Sequence, residues 1–401
     1  MRNIARFVVD THCHITTLYQ PATEEGWKKV EACDWSGLEL ELEPFDNSAL
    51  TLYDMEQYGI NMAILLPSIP GTTNESQAKL VKKYPHKFRA CCCDQMTVLK
   101  ALRGEEQYTF KAGLEEVEAA LKTGLFVGIG EFAPGSSAHH RQLPGSEGNV
   151  SFEQRFDEWS ATCELAIKYD VPVIAHDQFI FRKDWKTIDM LAKVSEKYPA
   201  AKIIQSHGAV EDEPVRGMDA IKDMYEIVGS LDNVYMETGG WGEKQFKIAF
   251  DAGVTANQLM WGHDYGNVPQ HIVTKKINDY GPKVKELEYR DTFSMMCFGY
   301  EDWPAVPTYQ PDFYGWGLRT VDRVGDWLSQ DEINMIMGGT AAKLYKLPVP
   351  YPRMFPEGRP DIFGDKCKES VPFLPDEQIQ HPENVRMSPS PLKLTKTEKK
   401  I

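Results

Sequence analysis

The chain has 401 residues, a length that suggests two or three domains unless a repeating architecture absorbs them into one. At 42% hydrophobic and 26% charged, its composition is that of a globular chain able to bury a large core. With 59 acidic residues against 44 basic ones, a net charge of -15, it lacks the positive surface that tracks phosphates, which excludes nucleic acid as a main partner.

The N-terminal stretch from Met1 to Asp10 carries two arginines but no apolar core or small-residue cleavage pattern, so it reads as the approach to a strand rather than a signal peptide. Short apolar runs then recur along the chain. They are Phe7–Val9, Met62–Leu66, Phe88–Cys93, Phe126–Gly130, Val171–Ala175, Lys202–Gln205, Val234–Glu237 and Gln258–Trp261, which makes eight. Between them lie amphipathic helical patterns. Phe152–Tyr169 places Phe152, Phe156, Trp159, Cys163 and Ala166 on one face, and Ser151 followed by Gln154 forms a capping signal. Lys186–Tyr198 places Ile188, Leu191, Ala192 and Val194 on one stripe.

Continuous apolar strands that alternate with helices predict a parallel sheet covered on its faces. Eight such units predict an α/β protein of the (β/α)8 TIM barrel type, whereas a doubly wound open sheet would call for a glycine-rich phosphate turn that the chain lacks. Two stretches exceed what a minimal barrel needs. One follows the first strand and carries Tyr19, Trp27 and Trp35. The other, about residues 265–330, separates the eighth strand from a closing helix at Asp331–Tyr345. Both are expected to be βα-loop insertions that cover a site.

Residues 1–347 therefore form the expected barrel. Residues 348–401, where ten of the 25 prolines fall, form a Pro-rich C-terminal extension that is not an independent domain. The extension is expected to wrap the barrel or a neighbouring subunit, consistent with a homo-oligomer such as a dimer. No apolar run approaches the ~18 residues of a membrane span. The eight cysteines show no CxxC pair, and Cys91-Cys92-Cys93 lie inside an apolar run, as expected of buried thiols in a reducing cytoplasm.

In a barrel the residues after each strand point into one mouth. Here those positions hold Asp10-Thr11-His12-Cys13-His14, Glu131, His176-Asp177, His207, Glu237 and His263-Asp264. His12 and His14, two apart on an extended segment, project to the same side and can share one divalent ion. The chain has only ten histidines, so finding His176 and His207 at equivalent strand ends beside that pair is a specific signal. The bland alternative, a buried and hydrogen-bonded histidine pair, leaves the recurrence unexplained.

With its HxH, His, His and Asp after strands one, five, six and eight, the chain resembles the amidohydrolase superfamily. Within it, the chain is most similar to the amidohydrolase-related family that includes aminocarboxymuconate-semialdehyde decarboxylase. The matching segments are Val9–His14, Val171–His176, Lys202–Gly208, Asn233–Gly239, Leu259–Tyr265 and Ile336–Leu347. The resemblance implies that His12, His14, His176 and Asp264 bind the metal, that Asp264 also moves protons, and that His207 contacts substrate or acts as acid or base. Two residues depart from the pattern. His263 stands where a small hydroxyl residue is common. Glu131 resembles instead a glutamate of TatD-like hydrolases that helps bridge two metals.

The expected cofactor is one divalent ion, zinc, with manganese or iron as alternatives and a second ion possible through Glu131 and His207. Such an ion lowers the pKa of bound water towards about 7, Asp264 takes the proton and passes it to the leaving group, and His207 polarises the scissile carbonyl. The expected reaction is hydrolysis of an amide, lactone or activated C–C bond in a small cyclic or aromatic molecule. The alternative is non-oxidative decarboxylation of an aromatic or enoic acid. Substrate contacts are assigned to Arg182, as a carboxylate clamp, to Trp241 and to Glu131, with Arg89 a weaker second clamp. A catalytically silent metal-binding barrel is the non-enzymatic alternative.

Overall fold

A computed structural model describes residues 7–15, 18–20, 43–46, 48–67, 72–140, 143, 150–176, 187–208, 218–239, 241–263 and 313–348. The strands are β1 (Val9–Cys13), β2 (Leu18–Gln20), β3 (Glu43–Phe45), β4 (Met62–Leu65), β5 (Phe88–Cys92), β6 (Phe126–Ile129), β7 (Val173–Ala175), β8 (Ile203–Gln205), β9 (Val234–Glu237) and β10 (Leu259–Met260). Eight of them form one sheet in the order β1-β4-β5-β6-β7-β8-β9-β10, with each neighbouring pair parallel. β2 and β3 pair antiparallel as a small separate ribbon in the first insertion.

The seam between β10 and β1 is joined at the level of the strand ends. Thr11 donates its backbone N–H (3.1 Å) and its hydroxyl (3.0 Å) to the Trp261 carbonyl. The His263 N–H donates to Asp10 Oδ1 at 3.1 Å. Short strands, helices between them and a laced seam make this a (β/α)8 TIM barrel.

Helices α1 (Ser48–Tyr58), α2 (Asn74–Lys83), α3 (Gln95–Leu102), α4 (Phe110–Lys122), α5 (Ser136–His140) and α6 (Phe152–Tyr169) alternate with the first half of the sheet. Helices α7 (Thr187–Lys197), α8 (Met218–Gly229) and α9 (Glu243–Asp251) accompany the second half. Side-chain caps set several starts: Thr73, Thr109 and Ser151 accept the N–H of Ser76, Ala112 and Gln154 respectively. α6 begins and ends where its apolar stripe predicts. The stretch expected as one long insertion contains α10 (Phe313–Val324), and the expected closing helix is α11 (Gln330–Asn334), a π-helical turn at Met335–Gly339 and α12 (Thr340–Tyr345).

Two apolar layers follow from strand alternation. Val9, Ile64, Cys91, Ile174, Ile204 and Met260 come from strands all around the sheet and cluster together, so they fill the barrel interior. Ala341, Leu344 and Tyr345 of α12 join them and close the end where β1 begins. Gly128 leaves room for that closure: a Cβ there would meet Cys91 Sγ at 2.6 Å and the Tyr345 ring at 3.4 Å. The larger layer, with Trp159, Tyr225 and Phe246, lies between strands and helices. Cys91, Cys92 and Cys93 are fully buried, and burial pushes all three thiols above the usual range. Among the described residues, no helix is long and apolar enough to cross a membrane.

Candidate metal centre

The register between β1 and β4 shifts between Asp10 and Cys13. Val9 thus faces the interior and Cys13 the helix layer, while His12 and His14 flank Cys13 on the interior side. Both histidines are fully buried. His14 Nδ1 lies 2.7 Å from the Leu66 carbonyl oxygen, which can only accept, so Nδ1 carries a proton and Nε2 is the nitrogen turned to the site.

That Nε2 faces Glu131 Oε2 at 3.5 Å. Glu131 Oε1 lies 3.3 Å from His12 Nε2, 3.1 Å from His176 Nε2 and 4.0 Å from His207 Nε2. One buried carboxylate at the end of the fourth barrel strand, β6, therefore sits among imidazoles from β1, β7 and β8. The rings are close to one another too, with centroids 4.8 Å apart for His12 and His14, 4.5 Å for His12 and His207, and 5.2 Å for His176 and His207.

Glu237, at the end of β9, works from the other side. Its Oε1 lies 3.2 Å from His12 Nδ1 and 3.1 Å from His207 Nδ1. It also accepts the backbone N–H of His207 and, at 3.3 Å, that of Gly239. Glu237 thus addresses the Nδ1 faces and Glu131 the Nε2 faces of the same two rings. An outer carboxylate on one ring nitrogen is the usual way to aim the other nitrogen at a metal.

Burial alone would push Glu131 up, but the charges of His176, His12 and His14 outweigh it and bring the carboxyl down to about 2. Glu237 is likewise raised by burial and brought below the ordinary range by His12 and His207. For His12, burial disfavours the charged ring, yet Glu237 and Glu131 raise it well above its usual value. Asp10 is different. Burial dominates and lifts it to about 7, against the opposing hydrogen bonds from His12 N–H and Tyr314. Asp10 accepts from the N–H of both His12 and His263, so it ties the His12 turn of β1 to the end of β10. The sequence alone marked Asp10 only as the head of the DxHxH segment.

His207 adopts φ 53°, in the left-handed region, and Gly208 follows at φ 51°. The turn aims the His207 N–H at Glu237 and its carbonyl at the Trp241 indole N–H, 2.8 Å away. A Cβ on Gly208 would lie 2.3 Å from the Trp241 ring. Trp241, expected to touch substrate, is buried against Tyr225 and Phe246 and braces the His207 turn. Arg89 sits at the start of β5, the end away from the histidines, and donates to the carbonyls of Phe88 and Pro85, so it does not serve as a carboxylate clamp. His263 is buried and stacked on Trp261 at 6.0 Å between centroids, beside Tyr314 and Gly317. Arg182, Asp177 and Asp264 lie outside the described residues.

Among the described residues, three donor sets have their ligand atoms within 4.8 Å of one another: His12, His14 and Glu131; Glu131, His176 and His207; and His12, His207 and Glu237. The N···O separations of 3.1–3.5 Å around Glu131 match the edge of a tetrahedron with metal bonds of about 2.0–2.1 Å. The imidazole and carboxylate donors present therefore fit a divalent ion.

The amidohydrolase family model matches residues 9–347. None of the curated proteins matches the sequence. Among solved structures, the chain is similar to 4-oxalomesaconate hydratase from Rhodopseudomonas palustris at 16% identity, covering 85% of this chain and 96% of that one, with a TM-score of 0.49. It is similar to a zinc-bound amidohydrolase from Burkholderia multivorans at 12% identity, 85% and 100% coverage and a TM-score of 0.48. For 5-carboxyvanillate decarboxylase from Sphingomonas paucimobilis the figures are 12%, 86% and 100%, and 0.47.

Proposed function

Because the chain belongs to the amidohydrolase family, we propose that it is a metal-dependent hydrolase of a small cyclic or aromatic molecule, cleaving an amide, lactone or activated C–C bond. The observation that carries this reading is the convergence of His12, His14 and His176 Nε2 on Glu131 within 3.1–3.5 Å. His12, His14 and His176 would hold the ion, with Asp264 as a further ligand. Imidazole and carboxylate donors suit zinc, and manganese or iron are accommodated by the same set. When bound, the ion supplies Lewis acidity and a more acidic water.

The remaining work belongs to the chain. Asp264 takes a proton from the attacking water and returns it to the leaving group. His207, held at its Nδ1 by Glu237, presents Nε2 towards the same space and polarises the scissile carbonyl. Asp10 fixes the backbone that carries His12. Arg182 is the proposed clamp for a substrate carboxylate, which the net charge of -15 would otherwise repel.

The test joins metal analysis to turnover. The double variant His12→Ala, His14→Ala is expected to lose bound metal and activity together, and full metal retention would overturn the site. Turnover of lactones, esters and aromatic acids in 18O-labelled water is expected to place label in the product. Carbon dioxide release without label would replace hydrolysis by decarboxylation.

A further inference from the structure

Next to the metal centre lies a second group of buried titratable side chains that the proposed reaction does not use. Arg155 on α6 is fully buried, and Glu158, one turn later, is 5% exposed. Their ion pair measures 2.8 Å from Nη1 to Oε2. Removing two charges from water is costly, and apolar side chains of similar volume often do as well for stability alone. The position of this pair gives it another use.

Several polar contacts of the cluster land on the segment that follows Glu131. Arg155 Nη1 donates to the Pro134 carbonyl at 2.8 Å. Glu158 receives His139 Nε2, with both oxygens at 3.0 Å. Asp94, at the end of the neighbouring strand, accepts the Gly135 N–H at 3.1 Å and the Tyr108 hydroxyl at 2.8 Å. The Cys93 thiol donates to the Phe132 carbonyl at 3.4 Å. The ion pair lies so close to the main chain that a Cβ on Gly135 would meet Glu158 Oε2 at 2.8 Å and Arg155 Nη1 at 3.1 Å. Gly135 therefore has φ 89° and no side chain to displace the pair.

We propose that the Arg155–Glu158 pair, seated on the 132–139 segment together with Asp94, is a positioning device that holds the Glu131 carboxylate in register with His12, His14 and His176. The proposal rests on the metal reading above and extends it to residues that touch neither metal nor substrate. Its leverage is geometric. Glu131 meets three rings from two strands within 3.1–3.5 Å, so a small drift of its backbone opens several contacts at once. Pro134 and Gly135, which receive the anchoring bonds, are three and four residues further on, with no regular element between.

The experiment is a double-variant cycle read as zinc affinity by competition with a chelator, on full-length protein whose fold is checked by circular dichroism. Arg155→Met is expected to weaken zinc about ten-fold or more, the range for groups that orient metal ligands. In a Glu131→Ala background the same change is expected to cost less than about two-fold, because the carboxylate it positions is gone. Where Arg155→Met does not fold, Glu158→Gln, which keeps shape and loses charge, takes its place in the same cycle. An equal loss in both backgrounds, or none in either, would overturn the proposal. Wild-type protein that binds no zinc, or the double histidine variant that keeps it, refutes the metal reading and this proposal together, and so is distinguished from failure of the positioning role alone.

Discussion

Gly262 follows the last barrel strand, between Trp261 and His263, and the site depends on its having no side chain. A Cβ at this position would lie 2.1 Å from Glu237 Oε2, 3.0 Å from Thr11 Oγ1 and 3.1 Å from His12 Cβ. Ordinary contact begins near 3.4 Å, so in Gly262→Ala the carboxylate oxygen must retreat by about 1.3 Å. It cannot do so freely. Glu237 Oε2 accepts from Gly239, and Oε1 holds His207 N–H and faces His12 and His207 Nδ1 at 3.2 and 3.1 Å. Giving up one or two charge-assisted bonds at about 1.5–3 kcal/mol each, with a compressed interior, places the cost at about 2–4 kcal/mol.

The expected outcome is a melting temperature lower by about 5 °C or more and weakened zinc retention, since the Nδ1 anchors of His12 and His207 move. Gly104→Ala is the control. It sits at φ 70° with nothing within 4 Å, so it is expected to lose about 1 kcal/mol from backbone strain and leave zinc untouched. A Gly262→Ala protein that melts and binds zinc like the wild type would refute the close packing of Glu237 on the β1 turn.

Two further outcomes follow from other groups. Burial raises the Glu158 carboxyl, but its bond from His139 and the Arg155 charge outweigh that and leave it below its usual value. A lowered folded pKa gives stability that is present above the unfolded value near 4.3 and lost as pH falls through the folded one. Glu158→Gln is therefore expected to be less stable by about 3 kcal/mol at pH 7, with the gap closing below about pH 4, and a gap constant from pH 7 to 3 in denaturant titrations would exclude the ion pair. His263→Ala is expected to cost about 2 kcal/mol through its lost stacking on Trp261 and its lost contact with the Tyr314 ring while leaving zinc stoichiometry unchanged, and loss of metal by elemental analysis would make His263 a ligand.

How much of this was legible from residues alone depended on the range of the interaction involved. Strands buried on both faces read as continuous apolar runs, and Ser151 marks the start of α6, so the barrel is written locally. α10 is not. Its sequence holds Gly315 and Gly317, residues that normally break a helix, and the reason for Gly317 lies elsewhere: a Cβ there would meet His263 Nδ1 at 2.9 Å. The closing helix is interrupted by a π-helical turn where Gly338 passes Phe7, whose carbonyl oxygen would be 2.4 Å from a Cβ. Both glycines are fixed by tertiary neighbours that a local pattern does not contain. The bracing bond of Trp241 is hidden for a similar reason, since its partner is the His207 carbonyl rather than anything near it in sequence.

The two glutamates show the same limit at the site itself. As strand-end carboxylates, Glu131 and Glu237 look alike in the sequence. The barrel separates them by seating Glu131 after the fourth strand, across from β1, and Glu237 after the seventh, beside β8 and β10. From there Glu131 reaches Nε2 of His12, His14 and His176, while Glu237 reaches Nδ1 of His12 and His207. His12 Nδ1 and Nε2 point in divergent directions, so a carboxylate on each side fixes the ring plane as well as its position. That pinning leaves Glu131 on the donor side of the imidazoles and Glu237 behind them. A change at Glu237 should thus act through ring orientation, whereas one at Glu131 should alter the donor set directly.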